Sequence, residues 1–405
     1  MTGCDRSDDR MTFAHGFAED ADALACHVRR LGLVEYEDGL DAQRLLATAR
    51  KADLVPDQLL LLEHPHVVTI GRRTHHLGAS VTDHFRVPPD VLARYDVDQY
   101  ETDRGGAVTY HGPGQLVIYP ILKLVGRRRD VHRYLRDLEE VIIRTLEDFG
   151  IAAERIPGQT GVWVGGEKIA SIGIHLSHWV TTHGLALNVN TDLRFFDLII
   201  PCGLPDVRMT SMAQLLGAPV PMEQVQERAL VHFQEVFDRR LIERPIEAES
   251  VQVLLRTSEG KYLLLKRTER DGGFWQPVTG VIEPGESPAD AALREVREET
   301  GVDLKDVAPP DRPPLLPLPY IHAFAFSSGG GVPIFIREHS FLAVLPAGLA
   351  IRINPLEHDA FRFEDVRTAL SLVRWKGNRR ALILSERLQA ADDGHLAHAP
   401  QALRL

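Results

Sequence analysis

Apolar positions along this chain fall into two kinds of period. Residues 58–63 and 67–70 are short apolar runs of strand character, and 116–124 is a longer one. Residues 131–149 carry Val131, Leu135, Leu138, Val141, Ile142 and Leu146 at helical spacing, and Gly150 closes the run. Residues 223–241 repeat that helical character. Composition then changes over 242–249, where Pro245 stands among acidic residues, and a new strand starts at Val251. Strands alternating with helices predict an α/β (α+β) fold in two modules, 27–241 and 242–390. Residues 1–26 read as a poorly ordered start and 391–405 as a tail; 308–319 and 327–331 read as loops. No internal repeat is visible, so the two modules are different folds.

Composition narrows the classes. The chain has 405 residues, 46 Lys+Arg and 57 Asp+Glu, for a net charge of −11. That balance argues against bulk binding to nucleic acid or anionic lipid. The three cysteines, Cys4, Cys26 and Cys202, cannot build a disulfide framework and fit a reducing compartment. The charged start MTGCDRSDDR lacks a signal-peptide core, and no apolar run reaches membrane-span length. A cytoplasmic protein, without nucleic-acid or membrane partners, is expected.

The second module holds the most ordered chemistry. Ser287 suits an N-cap, Pro288 the first helical position and Gly301 the residue after the end, so 288–300 is predicted helical. Ala289, Leu293 and Val296 form its expected core face. Glu295, Glu298 and Glu299 stand three and four apart, gathering carboxylates on another side. Such a patch is either a solvated acidic face or a site for a hard divalent cation such as Mg²⁺, which would bring a phosphate substrate with it.

The spacing G-x5-E-x7-R-E-U-x-E-E-x-G-U, with U aliphatic, is met from Gly280 to Val302. This resembles the Nudix box, whose family cleaves diphosphate bonds linked to another moiety. The resemblance implies a Nudix α/β/α sandwich with Glu295, Glu298 and Glu299 as Mg²⁺ ligands and Arg294 orienting them. The segments around Pro245, Phe274-Trp275-Gln276, Leu356-Glu357-His358 and Trp375 are similar to dihydroneopterin triphosphate diphosphatases. That match implies Glu357 as a further metal ligand or base, with Arg267 and Thr279 touching a small diphosphate-containing substrate. A nucleoside triphosphate is the other substrate considered, and a non-catalytic nucleotide-sensing or scaffolding domain the other role. Residues 303–340 depart from the pattern. Trp275 and Trp375 fit either substrate contact or core packing.

Three segments stand out in the first module. Arg104-Gly105-Gly106-Ala107-Val108-Thr109-Tyr110-His111 leads into Gly-Pro-Gly, so backbone can approach a ligand closely at both ends. Gly165-Gly166 between apolar strands predicts a two-residue hairpin turn. Beyond it, Lys168 shares a strand face with Ala170, Ile172 and Ile174. This lysine either snorkels to water or is a desolvated functional amine. The third segment runs through Gly184-Leu185-Ala186 to Pro201-Cys202-Gly203. Cys202 is either an inert thiol or a nucleophile that needs a cation nearby, with Lys168 and His111 as candidates. His64-Pro65-His66 and His75-His76 suggest metal ligands, but no second cluster with ligand spacing accompanies them.

Together with the run Leu59 to Pro65, these segments resemble lipoyl(octanoyl) transferases over about residues 31–237. The resemblance implies a biotin/lipoate ligase-like fold and ping-pong acyl transfer without a cofactor. Cys202 would take an octanoyl group from octanoyl-acyl carrier protein as a thioester. A lysine of a lipoyl domain, in 2-oxoacid dehydrogenases or the glycine cleavage H protein, would then receive it. Lys168 would lower the thiol pKa and handle protons. Residues Arg104 to His111, Ser171, Ile172, Gly173, Gly184, Leu185 and Ala186 would line the acyl pocket. An ATP-dependent lipoate–protein ligase is the rival within the fold, but it needs no nucleophilic cysteine. His66 stands where the family pattern leads one to expect proline or a small residue.

Overall fold

The computed structural model describes residues 24–76, 84–88, 91–92, 95, 97–200, 207–308, 313–327 and 332–392. The first element among the described residues is strand β1 (Ala25–Leu33), so Ala25 and Cys26 join a sheet rather than a leading segment. Helix α1 (Tyr36–Lys51) and strands β2 (Asp57–Glu63), β3 (Val67–Ile70), β4 (Asp98–Glu101), β5 (Val108–His111) and β6 (Gln115–Ile121) follow. Helix α2 (Val131–Glu147) precedes β7 (Val162–Val164), β8 (Glu167–Ser177) and β9 (Val180–Asn188). Helix α3 (Met222–Phe237) leads into β10 (Arg240–Glu243).

These strands form a seven-stranded sheet, order β10-β1-β2-β6-β9-β8-β7, and a small one, β4-β3-β5. In β2, Leu59 and Leu61 face one apolar cluster while Leu60 and Leu62 face another, so the four-leucine run is buried on both sides. Helices α2 and α3 cover the first face. Asp130 caps α2 by accepting from the Arg133 amide at 3.1 Å. The buried face begins at Tyr134; Val131, in the first turn ahead of the core, is exposed. Helix α3 stops at Phe237 because Asp238 turns left-handed (φ 50°), which places Leu241 in a strand and not a helix. Gly165 (φ 56°) and Gly166 (φ 84°) make the two-residue hairpin between β7 and β8.

The second unit has strands β11 (Ala248–Thr257), β12 (Tyr262–Arg267), β13 (Trp275–Gln276), β14 (Val278–Val281), β15 (Leu316–Phe326), β16 (Ile334–Leu345) and β17 (His358–Glu364). Its sheet order is β13-β12-β11-β16-β15, with β14 on β11 and β17 on β12. Helices α4 (Pro288–Thr300), α5 (Val366–Leu372) and α6 (Lys376–Asp392) pack around it. Part of the expected loop 308–319 is strand: Pro317 and Pro319 sit at exposed positions of β15, an edge strand, where a missing N–H costs little. The buried face of α4 is Ala291, Ala292 and Val296, whereas Ala289 is exposed and Leu293 only partly covered. The sheet receives the stripe that includes Glu299 and Thr300, which rotates Ala289 out.

The two units share a core. Ala323 and Phe335 from β15 and β16 lie in one apolar cluster with Leu31, Leu46, Leu60, Tyr119 and Ala186. Arg29 bridges the seam, donating to Gln58 at 2.8 Å and Glu247 at 2.7 Å with its guanidinium 4.8 Å from the Phe335 ring centroid. No helix among the described residues is long and apolar enough to cross a membrane.

Candidate active sites

The first site is a cleft where β5, β8 and β9 converge beside α1. Arg104, Gly106, Ala107, Val108, Thr109, His111, Ser171, Ile172, Gly173, Gly184, Leu185 and Ala186 line it. Pairing of Gly173 with Gly184 in the β8–β9 ladder brings segments distant in sequence to one place. Two of the expected residues do not line it. The Gly105 amide donates to the Ile174 carbonyl at 2.8 Å and ties the glycine loop to β8. Tyr110 turns to the other face of its strand, its ring 5.2 Å from Phe195 and its hydroxyl 2.7 Å from His66 Nδ1. Tyr36, Tyr119 and His183 complete the lining. They come from α1, β6 and β9, and no local motif announces Tyr36 or Tyr119; the position of His183 just before Gly184 is the one available hint.

Arg104 is an architectural group of this cleft. Its buried guanidinium donates to Thr69 Oγ1 (2.8 Å), the Thr69 carbonyl (2.7 Å) and the Gly105 carbonyl (3.0 Å). The imidazoles nearby are kept neutral. Burial, reinforced by His64, pushes His111 down to about 3, and its Nδ1 donates to Gln115 Oε1 at 2.7 Å. Burial also lowers His183 despite its 2.7 Å contact with Asp103, and the His183 hydrogen bond holds Asp103 well below the usual carboxylate range. Neutral imidazoles and an Arg104 guanidinium engaged by Thr69 and Gly105 leave walls that suit an uncharged acyl chain.

Lys168 lies three residues before Ser171 on β8 and is buried, 3% exposed, rather than snorkelled. Its Nζ donates to the Thr160 carbonyl at 3.1 Å and sits 5.3 Å from the Trp163 ring centroid. Gly161 makes this possible: a Cβ there would lie 2.6 Å from Lys168 Cε. The Lys168 backbone is pinned to the chain after residue 206, donating to the Arg208 carbonyl at 2.8 Å and accepting from the Thr210 amide at 3.0 Å. Cys202 itself lies outside the described residues. Buried His64 is engaged structurally: Nδ1 donates to the Val34 carbonyl at 2.6 Å, leaving Nε2 to accept from the Tyr119 hydroxyl at 2.8 Å. His66 stacks on Phe195 at 4.1 Å with its Nδ1 2.7 Å from the Tyr110 hydroxyl; the side chains of His75 and His76 fall outside the described ones.

The second site lies at α4 and the start of β17. Glu299 is 1% exposed, and one donor atom each from Glu299, Glu357 and His358 lies within 4.8 Å of the others. His358 is the residue that the helix spacing could not supply. Its Nε2 is 3.4 Å from Glu299 Oε1, yet both its ring nitrogens and both Glu299 oxygens are buried without a hydrogen-bond partner. Burial pushes the Glu299 carboxyl up, and the charges of Glu357 and Glu295 add to this. Glu295 and Glu298 stand outside that trio, both held by Arg294, at 2.6 Å and 3.4 Å. Arg294 also grips Glu286 through two bonds of 3.0 and 2.9 Å. Glu298 is exposed, while Glu295 packs so closely on Gly280 that a Cβ there would meet its carboxyl carbon at 1.8 Å.

Arg267 donates to Glu357 at 3.0 Å, and Thr279 accepts from Gln276 at 2.9 Å. Trp275 is partly buried against an apolar cluster, whereas Trp375 is 49% exposed and meets Phe274 edge-on at 5.8 Å. Arg374 stacks over both of those rings, at 5.4 Å and 4.8 Å.

Comparison with known proteins gives a match for each unit. The lipoyl protein ligase A/B catalytic domain matches residues 35–234 and the NUDIX domain matches residues 247–383. An octanoyltransferase of Myxococcus xanthus is 44% identical over 364 residues, covering 88% of this chain and 97% of its own. An octanoyltransferase of Solibacter usitatus (strain Ellin6076) is 51% identical over 217 residues, 54% of this chain and 95% of its own. Among solved structures, the E. coli dihydroneopterin triphosphate pyrophosphohydrolase is similar at 28% identity and a TM-score of 0.29, covering 33% of this chain and 91% of that one.

Proposed function

We propose that this chain, which belongs to the octanoyltransferase family and carries a NUDIX domain behind the transferase, moves octanoyl from octanoyl-acyl carrier protein to a lysine of a lipoyl domain through a thioester on Cys202. The observation that carries this reading is the cleft itself, uncharged along its imidazoles and continuous along β8 with buried Lys168. The Cys202 thiolate attacks the donor's thioester carbonyl; the carbonyl–sulfur bond to the carrier breaks and the carrier leaves as its thiol. The neutral ε-amine of the lipoyl domain then attacks the enzyme thioester, forming the amide and returning the Cys202 thiol. Lys168, as a cation, favours the thiolate and relays the proton between the two steps. A thioester is already activated, so no ATP is needed.

The test is mass spectrometry after mixing the protein with octanoyl-acyl carrier protein. An octanoyl adduct on the Cys202 peptide, lost in Cys202→Ser and discharged by a lipoyl domain, is expected. Transfer by Cys202→Ser at the normal rate, or transfer that requires ATP and free octanoate, would overturn the mechanism.

For the NUDIX domain the reading is Mg²⁺-dependent cleavage of a diphosphate bond in a compound of the dihydroneopterin or nucleoside triphosphate class. Glu299, Glu357 and His358 fit a cation, because the buried donors of Glu299 and His358 make no hydrogen bond within the protein and Glu357 brings a further carboxylate within 4.8 Å of them. Glu295 and Glu298 would join them through the charge network that Arg294 organises. The cation, when bound, supplies positive charge to the phosphate oxygens and acidifies an attacking water. Arg267 and Thr279 would contact the substrate, with Arg267 exchanging its bond to Glu357 for a phosphate oxygen. Product analysis with Mg²⁺ over a panel of these triphosphates tests it, with Glu298→Gln as control. Turnover lost in that variant supports hydrolysis; binding without turnover would make the domain a sensor.

A further inference from the structure

The acyl cleft is walled in part by elements that the NUDIX domain holds in place. We infer that Lys376 and Arg380, on one face of α6, position the Tyr36 wall of the cleft and so set which acyl chain length the transferase accepts. This rests on the reading of that cleft as the acyl site.

Glu35 occupies the N-cap position of α1 but makes no cap to its own helix. Its buried carboxylate instead crosses the seam, accepting from Arg380 Nε at 3.1 Å and from the Tyr320 hydroxyl at 3.0 Å. The next residue, Tyr36, lines the cleft. Four residues before Arg380 on the same helix, Lys376 Nζ sits 4.6 Å from the Tyr100 ring centroid and 3.9 Å from Glu37 Oε2. Tyr100 packs on Tyr36 with ring centroids 5.2 Å apart, and Tyr36 stacks on His111 at 6.2 Å. Arg380 also approaches Asp98 at 3.7 Å, at the start of β4, three residues after whose end Arg104 stands. One helix of the second unit therefore grips both the start of α1 and the strand entering the glycine loop. From another side Ala323 and Phe335 pack in the cluster that includes Tyr119 and Ala186, two further lining residues.

The Glu35–Arg380 bond is buried and reaches across 345 residues of sequence. Removing Arg380 takes the countercharge from a buried carboxylate, so this contact favours one arrangement rather than a range of them. An apolar cleft tells chains apart by single methylenes only while its walls hold still. Arg380 and Lys376 are not among the lining residues; they act through Glu35, Tyr100 and Tyr36 and are positioning residues.

The experiment uses the full chain and hexanoyl-, octanoyl- and decanoyl-acyl carrier protein, with a lipoyl domain as acceptor. Arg380→Ala, Arg380→Lys and Lys376→Ala are compared with the unsubstituted protein for kcat and KM on each donor. The expected result is that Arg380→Ala and Lys376→Ala lower the octanoyl-over-decanoyl preference in kcat/KM about threefold to tenfold, mainly through KM. Arg380→Lys should restore most of it. An unchanged preference in both alanine variants overturns the inference. If Arg380→Ala fails to fold, Lys376→Ala, at a less buried site, decides by the same ratio. Ile172→Trp, which fills the cleft, separates the two readings. If it leaves octanoyl transfer intact, the acyl-site reading falls and this inference with it. If it blocks transfer while the alanine variants keep their preference, only the positioning role falls.

Discussion

Lys168 shows how one residue's chemistry depends on another's lack of a side chain. Its ammonium is buried between a carbonyl and an indole face, and Gly161 leaves the space in which its stem lies. Gly161→Ala would push a methyl group into that stem at a backbone angle (φ 130°) that alanine adopts poorly. Octanoyl transfer is expected to fall about tenfold or more, and Lys168→Met about a hundredfold or more, while the secondary structure by circular dichroism stays unchanged. A second prediction concerns His64. Burial pushes its folded-state value down from 6.5 to about 4, so the unfolded chain takes up the proton first as pH falls. Its neutral form therefore contributes full stability above pH 6.5, and that contribution disappears as pH drops through the folded value of about 4. The loss amounts to about 3 kcal/mol. Denaturant midpoints measured from pH ~8 down to ~4 should show it, and His64→Gln should flatten that slope.

At the scale of the element, α4 combines a cap, a core stripe and a charged edge in thirteen residues. Its buried stripe continues into Glu299, which brings an unpartnered carboxylate into the protein interior. Glu299→Gln removes that desolvated charge, together with its repulsion by Glu357 and Glu295. Without added metal the variant is expected to melt higher by a few degrees, while calorimetric Mg²⁺ binding is lost. A melting point lowered in the metal-free protein would contradict this account. Gly280 on β14 is the counterpart on the facing element. Gly280→Ala would displace Glu295 and the Arg294 network attached to it, and should cost phosphate chemistry while leaving octanoyl transfer alone.

At the scale of the whole molecule, the two units are bonded across a buried seam. Phe335 of β16 is fully buried there beneath Arg29 and among side chains of the first unit. Phe335→Ala should cost about 3–5 kcal/mol by leaving a cavity. Because that cavity sits between units, scanning calorimetry should show both transitions shift downward. A shift confined to the NUDIX transition would mean that the seam does not couple them. The fusion is shared with the Myxococcus xanthus relative, whose match runs along both units.

Local patterns determined a large part of this protein. The cap at Ser287, the stop at Gly301, the paired glycines of the hairpin and the four-leucine strand are legible because each depends on neighbours within a few residues. The glycine-rich segments that line the cleft of the first unit were legible as motifs for the same reason. Other features needed the tertiary structure. Spacing could place Glu295, Glu298 and Glu299 on one helix, but the sheet against which α4 packs decides that Glu299 is buried and Glu298 exposed. That same docking angle turned Ala289 outward. Tyr36, Tyr119 and His183 reach the cleft only through strand register and the docking of α1, contacts between residues far apart in the chain. The bond from Glu35 to Arg380 is the extreme case. Two charges 345 positions apart have no pattern in common until both units are folded and the seam excludes water from them.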